Sequence, residues 1–243
     1  MTIGLIGYGR FGRLAARFLA RYGKVVVYDR RTYGESFPSR NIKEGSLSFV
    51  AAQRIVILAV PISSLQQILR SISPSIQPNA LVIDVCSVKM KPVKWMKHIL
   101  PKTTSLLGTH PLFGPDTVLR SVRGHRVVVC PVRISQRKLW AVKERLRRAG
   151  LEVETMTPND HDRMIAETLL LTQYIGRLVG HADVRRWSRS TRTYETLRWL
   201  ADVAEHDSRV LFQDMFRFNP YARRLLRSLD KGQRRVRREL NIR

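Results

Sequence analysis

The sequence predicts an α/β fold, a doubly wound parallel sheet followed by an all-helical domain. Three observations predict it. Short β-rich runs alternate with helical periodicity over the first 155 residues, a glycine-rich turn joins the first run to the first helix, and no convincing strand follows Pro158. Continuous apolar strands separated by helices indicate a parallel sheet covered on both faces.

In order, the strand-like runs are TIGLIG, KVVVYD, RIVILAV, ALVIDV, TSLLG, HRVVVC and LEVET. Between them RFGRLAARFLARY, ISSLQQILRSI and SQRKLWAVKERLRRAG carry helical periodicity. The segment 161–181 then reads as one long helix, apolar around much of its circumference, which predicts burial in a helical domain or at a subunit interface. YETLRWLADVAEHDSRVLFQDMFRF continues helically, and a basic helix-like tail closes the chain. The expected domains are residues 1–156, binding a dinucleotide, and residues 157–243, binding substrate and dimerising.

With 243 residues, 44% of them hydrophobic, the chain can bury a real core, and the composition excludes a disordered protein. No apolar run is long enough to span a bilayer, and MTIGLIGYG is too short and glycine-rich for a signal peptide. The two cysteines, Cys86 and Cys130, form no metal or disulfide pattern, so a reduced, cytoplasmic protein is expected. Forty-four Lys+Arg against nineteen Asp+Glu give a net charge of +25, a field that attracts polyanions and small anionic substrates alike. No helix-turn-helix, zinc or RNP-type signature accompanies it, so nucleic-acid binding is the weaker reading.

The first turn carries the clearest chemistry. A strand runs into Gly7-Tyr8-Gly9-Arg10-Phe11-Gly12 and then into a helix. Gly7 permits the tight turn, Gly9 lets backbone approach a pyrophosphate, and Gly12 lets helix and strand pack closely. The diphosphate then sits at the helix N-terminus, whose free N–H groups favour negative charge. Together these are the marks of a Rossmann-type domain. Asp29, ending the second strand, is placed to accept hydrogen bonds from ribose hydroxyls and to repel a 2′-phosphate, which favours NAD. Arg30 and Arg31 follow at once and can hold that phosphate, which keeps NADP open. Ala59, Val60 and Pro61 end the third strand beside the cofactor.

Ligands of open α/β sheets collect outside the carboxyl ends of the strands. Two such ends bear polar residues: ALVIDV runs into Cys86-Ser87-Val88-Lys89, and TSLLG into Thr109-His110-Pro111. Oxidising an alcohol needs a group to take or polarise the hydroxyl proton as hydride leaves carbon, and histidine suits this near neutral pH. His110 is the candidate base. Ser87 is placed to bond the same hydroxyl or orient the imidazole, and Lys89 to pair with a substrate carboxylate.

GYGRFG, DVCSVK (84–89), GTHPLFGP (108–115), TPNDHDRMIAETLLLTQYIGR (157–177) and EHDSRVLFQDMFRFNPYA (205–222) occur in this order along nearly the whole chain. In these segments the chain resembles the prephenate/arogenate dehydrogenase family of tyrosine biosynthesis, the last two being nearest its plant-like and cyanobacterial-like branch. The resemblance implies a Rossmann domain, an all-helical dimerisation domain, a homodimer, and NAD(P)-dependent oxidative decarboxylation of prephenate or arogenate. It assigns His110 as the catalytic histidine, Ser87 as the serine bonding the hydroxyl and that histidine, and Lys89 as a lysine near the substrate carboxylates.

Two features depart from the family. Gln173 stands, in LTQYIG, where many members carry histidine; an amide still donates a hydrogen bond to substrate but holds no charge. The arginine that clamps the substrate side chain has three candidates, Arg177, Arg192 and Arg198. His161, in a recurring HD pair, either contacts substrate or caps and packs its helix. The rival dehydrogenases of β-hydroxyacid type need a lysine in the first long helix of the second domain, and residues 161–181 contain none. A non-catalytic dinucleotide- or nucleic-acid-binding protein is the alternative of a different class.

Overall fold

The computed structural model describes residues 2–31, 37–118, 121–182, 184–187 and 189–241. These form two compact units, residues 1–161 and 162–243.

The first unit contains an eight-stranded sheet of order β3-β2-β1-β4-β5-β6-β7-β8. Its strands are β1 (Thr2–Ile6), β2 (Lys24–Tyr28), β3 (Ile42–Glu44), β4 (Ile55–Leu58), β5 (Leu81–Asp84), β6 (Ser105–Pro111), β7 (Arg126–Arg133) and β8 (Glu152–Thr155). Between them lie helices α1 (Arg10–Leu19), α2 (Leu47–Ala51), α3 (Ile62–Ile72), α4 (Met90–Ile99) and α5 (Gln136–Arg148).

Alternation along the strands assigns the two faces. Ile3 and Leu5 of β1 join Val25 and Val27 of β2 against Ala16 and Ala20 of α1 and the residue after it. Gly4, pointing the other way, meets α2 so closely that a Cβ would lie 2.2 Å from the Val50 carbonyl oxygen. Further along the sheet, Leu107 and Val129 pack against Leu139 of α5, while Gly108 faces Val93 of α4. Apolar residues on both faces are what a doubly wound sheet requires.

Two expectations need correction. The sheet is not wholly parallel: β7 runs antiparallel to β6, with His110 opposite Val128 and a register shift at Leu106/Leu107. No helix intervenes between these strands among the described residues, so the chain returns directly along its neighbour, whereas the crossover through α5 makes β7 and β8 parallel. Pairing with β7 also carries β6 past Gly108 to Pro111. His110 therefore sits inside a strand rather than in the loop beyond one. The short β3 and α2 were invisible as patterns, each too brief to show a period.

The second chain segment is helical, as expected, but 161–181 is not one uniform helix. It comprises α6 (Pro158–Ile165), a π-helical turn at Ala166–Leu170 and α7 (Leu171–His181). There follow α8 (Arg192–His206), α9 (Arg209–Phe218) and α10 (Ala222–Glu239). α7 and α8 approach closely at Gly176, where a Cβ would lie 2.6 Å from Ala204 Cβ and 2.8 Å from the Leu200 carbonyl oxygen. α8 and α9 are separate helices, broken at Asp207 and restarted by Ser208, whose hydroxyl accepts the Leu211 N–H at 3.1 Å. Among the described residues no helix is long and apolar enough to cross a membrane, and no group of acidic, histidine and cysteine side chains could hold a metal.

Candidate active site

The carboxyl ends of β1, β2, β4, β5 and β6 share one edge of the sheet, because these strands are mutually parallel. At β1 the chain turns through Gly7, whose φ of 99° suits glycine and where a Cβ would lie 2.2 Å from the Ala59 carbonyl oxygen. A Cβ at Gly12 would lie 2.1 Å from the Gly7 carbonyl oxygen, so only glycine lets α1 start this near the turn. Gly9 differs: nothing lies within 4 Å of where its Cβ would be. It is the N-cap of α1 and offers no side chain to the helix's first N–H groups. Open space against the first N–H groups of a helix is a cradle for an anion, and a diphosphate fits it.

Asp29 lies beside this turn. Its Oδ2 accepts the Tyr8 N–H at 2.6 Å and its Oδ1 the Arg31 N–H at 3.1 Å. One donor on each oxygen leaves acceptor capacity for the two hydroxyls of a ribose. Arg30 is exposed, Phe11 is half-buried, and Ala59, Val60 and Pro61 lie in the turn before α3. Arg10 has another engagement: its guanidinium meets both oxygens of Asp116 at 2.7 and 2.8 Å, tying the Gly114–Thr117 turn to the start of α1.

His110, next to last in β6, is buried. Its Nδ1 lies 2.9 Å from Nε2 of His161, the rings meeting edge to face with centroids 5.1 Å apart. Nε2 of His110 has no hydrogen bond among the described residues. Burial, then the neighbouring His161 and Lys89, holds the His110 imidazole well below the usual histidine range. Burial and then Lys89 push His161 down to about 3. Both rings are neutral at pH 7.

His161 is fully enclosed within α6. It does not cap that helix: Thr157 does, its hydroxyl accepting the Asp160 N–H at 3.1 Å and donating to the Asp160 carboxylate at 2.6 Å. Ser87 is half-buried and makes no side-chain hydrogen bond among the described residues, while the His110 imidazole meets His161.

Lys89 lies where an internal carboxylate, not a pocket, receives it. Its ammonium forms a fully buried ion pair with Asp84 Oδ1 and donates to the Thr109 carbonyl oxygen at 2.6 Å. A buried ammonium must be met by an internal anion, and for Lys89, expected near a substrate carboxylate, that anion is Asp84. Gly108, directly across from Asp84, makes the room: a Cβ there would lie 3.2 Å from Asp84 Oδ2 and 3.3 Å from Lys89 Cδ. Oδ2 itself is enclosed without a partner among the described residues, and burial raises the Asp84 carboxyl although Lys89 opposes it. Thr109 completes the lock, its hydroxyl donating to the Asp84 carbonyl at 2.8 Å. Asp84 and Thr109 escaped the sequence reading; the signal was a carboxylate ending a buried strand with a lysine five residues on.

In the helical unit Gln173 is buried, its Nε2 donating to Asp207 Oδ2 at 2.8 Å, while its Oε1 is enclosed without a partner among the described residues. Arg177 donates to the Asp207 carbonyl at 2.7 Å and stacks over Phe212 at 4.5 Å. Arg198 instead faces Asp202 at 3.4 Å, and Arg192 is exposed. Asp207, at the break between α8 and α9, thus gathers Gln173 and Arg177.

Fold and turn together define a Rossmann-type dinucleotide-binding protein. Residues 15–155 match the model of the prephenate dehydrogenase nucleotide-binding domain, and residues 178–243 that of the TYRAAT1-like C-terminal domain. The chain therefore belongs to the prephenate dehydrogenase family. It is similar to Arogenate dehydrogenase 1, chloroplastic, of Arabidopsis thaliana, 29% identical over 99% of this chain and 39% of that protein. Arogenate dehydrogenase 2, chloroplastic, of the same plant is 28% identical over 99% of this chain and 70% of that protein. The chain thus spans well under half the length of the first of these relatives. Among solved structures, prephenate dehydrogenase from A. aeolicus, in complex with hydroxyphenyl propionate and NAD+, superposes with a TM-score of 0.80 at 20% identity, covering 99% of this chain and 90% of that one. The matched family span begins after Gly12, so the glycine turn is read from its own geometry.

Proposed function

We propose that the chain catalyses the oxidative decarboxylation of arogenate or prephenate in tyrosine biosynthesis, with NAD as hydride acceptor. The observation that carries this reading is His110: buried, neutral, oriented through Nδ1, and placed on the strand edge that also bears the glycine turn. The family and the names of the relatives supply the substrate class.

The dinucleotide, when bound, supplies the carbon that accepts hydride. The residues that would hold it are Gly7, Gly9 and Gly12 with the first N–H groups of α1 for the diphosphate, and Asp29 for the ribose. Arg10, Phe11, Arg30, Ala59, Val60 and Pro61 border that path. A carboxylate at the ribose position supports NAD over NADP. Nε2 of His110 accepts the hydrogen bond of the ring hydroxyl, and Ser87, with an uncommitted hydroxyl, adds a second bond there. His110 thereby stabilises charge developing on that oxygen as the ring C–H bond breaks. Lys89 contributes from below, by fixing the strand end that carries His110.

Within the helical unit Gln173 and Arg177 converge on Asp207, the first through its carboxylate and the second through its carbonyl. Arogenate has an amino group where prephenate has a keto group, and the names of the two plant relatives favour arogenate. Arogenate is accordingly the better substrate in this reading. The same unit leaves Leu178, Trp187, Trp199 and Val210 exposed, which supports a homodimer formed through it.

The test is reduced-nicotinamide absorbance with purified protein, each substrate and each cofactor. The expected order of kcat/KM is arogenate over prephenate and NAD over NADP. No turnover of either substrate with either cofactor overturns the reading.

A further inference from the structure

His161 is fully enclosed, and its Nε2 lies 2.9 Å from Nδ1 of His110. Two neutral imidazoles meeting nitrogen to nitrogen share a single hydrogen, and its ownership decides what the other face of His110 can do. If His161 donates, the proton of His110 lies on Nε2, which then has no lone pair for a substrate. If His110 donates from Nδ1, its Nε2 carries the lone pair. Only the second arrangement makes His110 an acceptor toward a hydroxyl.

Lys89, paired with Asp84, is a charged group that acts on both rings. The Lys89 charge is felt by both rings and opposes protonation of either. The neighbourhood therefore keeps the pair neutral, and the hydrogen bond orients the His110 ring. This differs from a histidine backed by a carboxylate, where the partner also stabilises a full imidazolium.

We propose that His161 is a positioning residue: its Nε2 accepts a hydrogen bond from Nδ1–H of His110, fixing the tautomer whose Nε2 faces the substrate hydroxyl. This rests on the dehydrogenase reading above. A neutral partner suits the electron balance of that reaction. The ring C–H bond breaks with its pair, which passes to the nicotinamide, and the hydroxyl oxygen becomes electron-poor while its proton is shared with Nε2. The C–CO2 bond then breaks and its pair completes the aromatic ring, so the proton stays with the phenolic oxygen. No net proton is released, and His110 needs to hold a fixed lone pair but never to keep the proton.

The experiment compares wild type with His161→Gln and His161→Leu. Glutamine reaches a similar distance with a neutral acceptor oxygen; leucine offers none. Nitrogen-15 NMR of histidine-labelled protein, without substrate, reads the His110 tautomer directly. Wild type and His161→Gln are expected to show His110 protonated on Nδ1, and His161→Leu to lose that single pattern. With arogenate, His161→Leu is expected to lose kcat by about 10- to 100-fold, the worth of one hydrogen bond to a group that gains positive charge, with KM within about twofold. His161→Gln is expected to recover most of that loss. Wild-type His110 protonated on Nε2, or equal loss in the Gln and Leu variants, overturns the proposal. Wild type that shows the Nδ1–H tautomer yet oxidises neither substrate overturns the dehydrogenase reading instead and leaves the tautomer assignment standing.

Discussion

Replacing Lys89 with methionine isolates a buried charge. In the intact protein Asp84 and Lys89 are both fully enclosed and paired, and the ammonium also holds the Thr109 carbonyl at 2.6 Å. Methionine fills much of the same volume but leaves the Asp84 carboxylate with the Cys86 N–H, 3.0 Å from Oδ1, and an Oδ2 that already lacks a partner. Removing one member of a buried pair costs about 3–5 kcal/mol, most of it from the stranded charge. The double variant Asp84→Leu/Lys89→Met removes both charges and is expected to recover most of that loss. The pH dependence has a definite sign. The Asp84 carboxyl titrates above its ordinary value of 3.8 in the folded protein, so its favourable contribution is full below that value and is lost as pH rises through the folded one. Taking away Lys89, which lowers it, moves the loss further up. The Lys89→Met deficit is therefore largest at neutral pH and shrinks toward acid. Urea unfolding of the two variants across pH reads these changes. A Lys89→Met loss under about 1 kcal/mol, well short of a broken buried pair, together with a large rise in substrate KM, would refute the reasoning and return Lys89 to the substrate.

The two histidines make a second pH prediction of opposite sign. Both are held below the ordinary 6.5, so the stability they contribute is present above that value and is lost as pH falls through it toward the folded values. Unfolding free energy is expected to drop by about 1.4 kcal/mol per pH unit per histidine below the unfolded value, and His161→Leu should make that slope shallower. Gly9→Ala is expected to keep wild-type thermal stability, because open space surrounds the added methyl, while NAD affinity by calorimetry falls at least tenfold. Gly12→Ala should instead destabilise the fold, since its Cβ would lie 2.1 Å from the Gly7 carbonyl oxygen. Light scattering is expected to give twice the monomer mass, and a charged residue at Trp199, exposed in α8, should shift the protein toward monomer.

What the sequence disclosed was local. Gly7, Gly9 and Gly12 announce themselves because a turn, a close approach and a tight packing each demand the missing Cβ within six residues. Strands that are apolar on both faces are recognisable one at a time. Pairing direction is not: HRVVVC looks alike in a parallel or antiparallel sheet, and only the connection before it decides. For the same reason His110 read as loop, since β7 is what extends β6 past Gly108. Lys89 was legible as a charge but not as a buried one, because its partner is revealed only when β5 ends beneath Gly108. The His110–His161 contact joins residues 51 apart, and no local period encodes it. The helical unit was least legible: the π-helical turn at Ala166–Leu170 and the break at Asp207 interrupt patterns that look continuous in sequence.

In the proposed reaction His110 acts on the substrate hydroxyl through Nε2. The most direct measurement is kcat for His110→Asn with arogenate and NAD, beside its NAD dissociation constant by calorimetry. A kcat lower by about 100-fold or more is expected, the usual worth of a positioned proton acceptor, with NAD affinity unchanged because the glycine turn is untouched. A kcat within a few-fold of wild type at unchanged NAD affinity would contradict it.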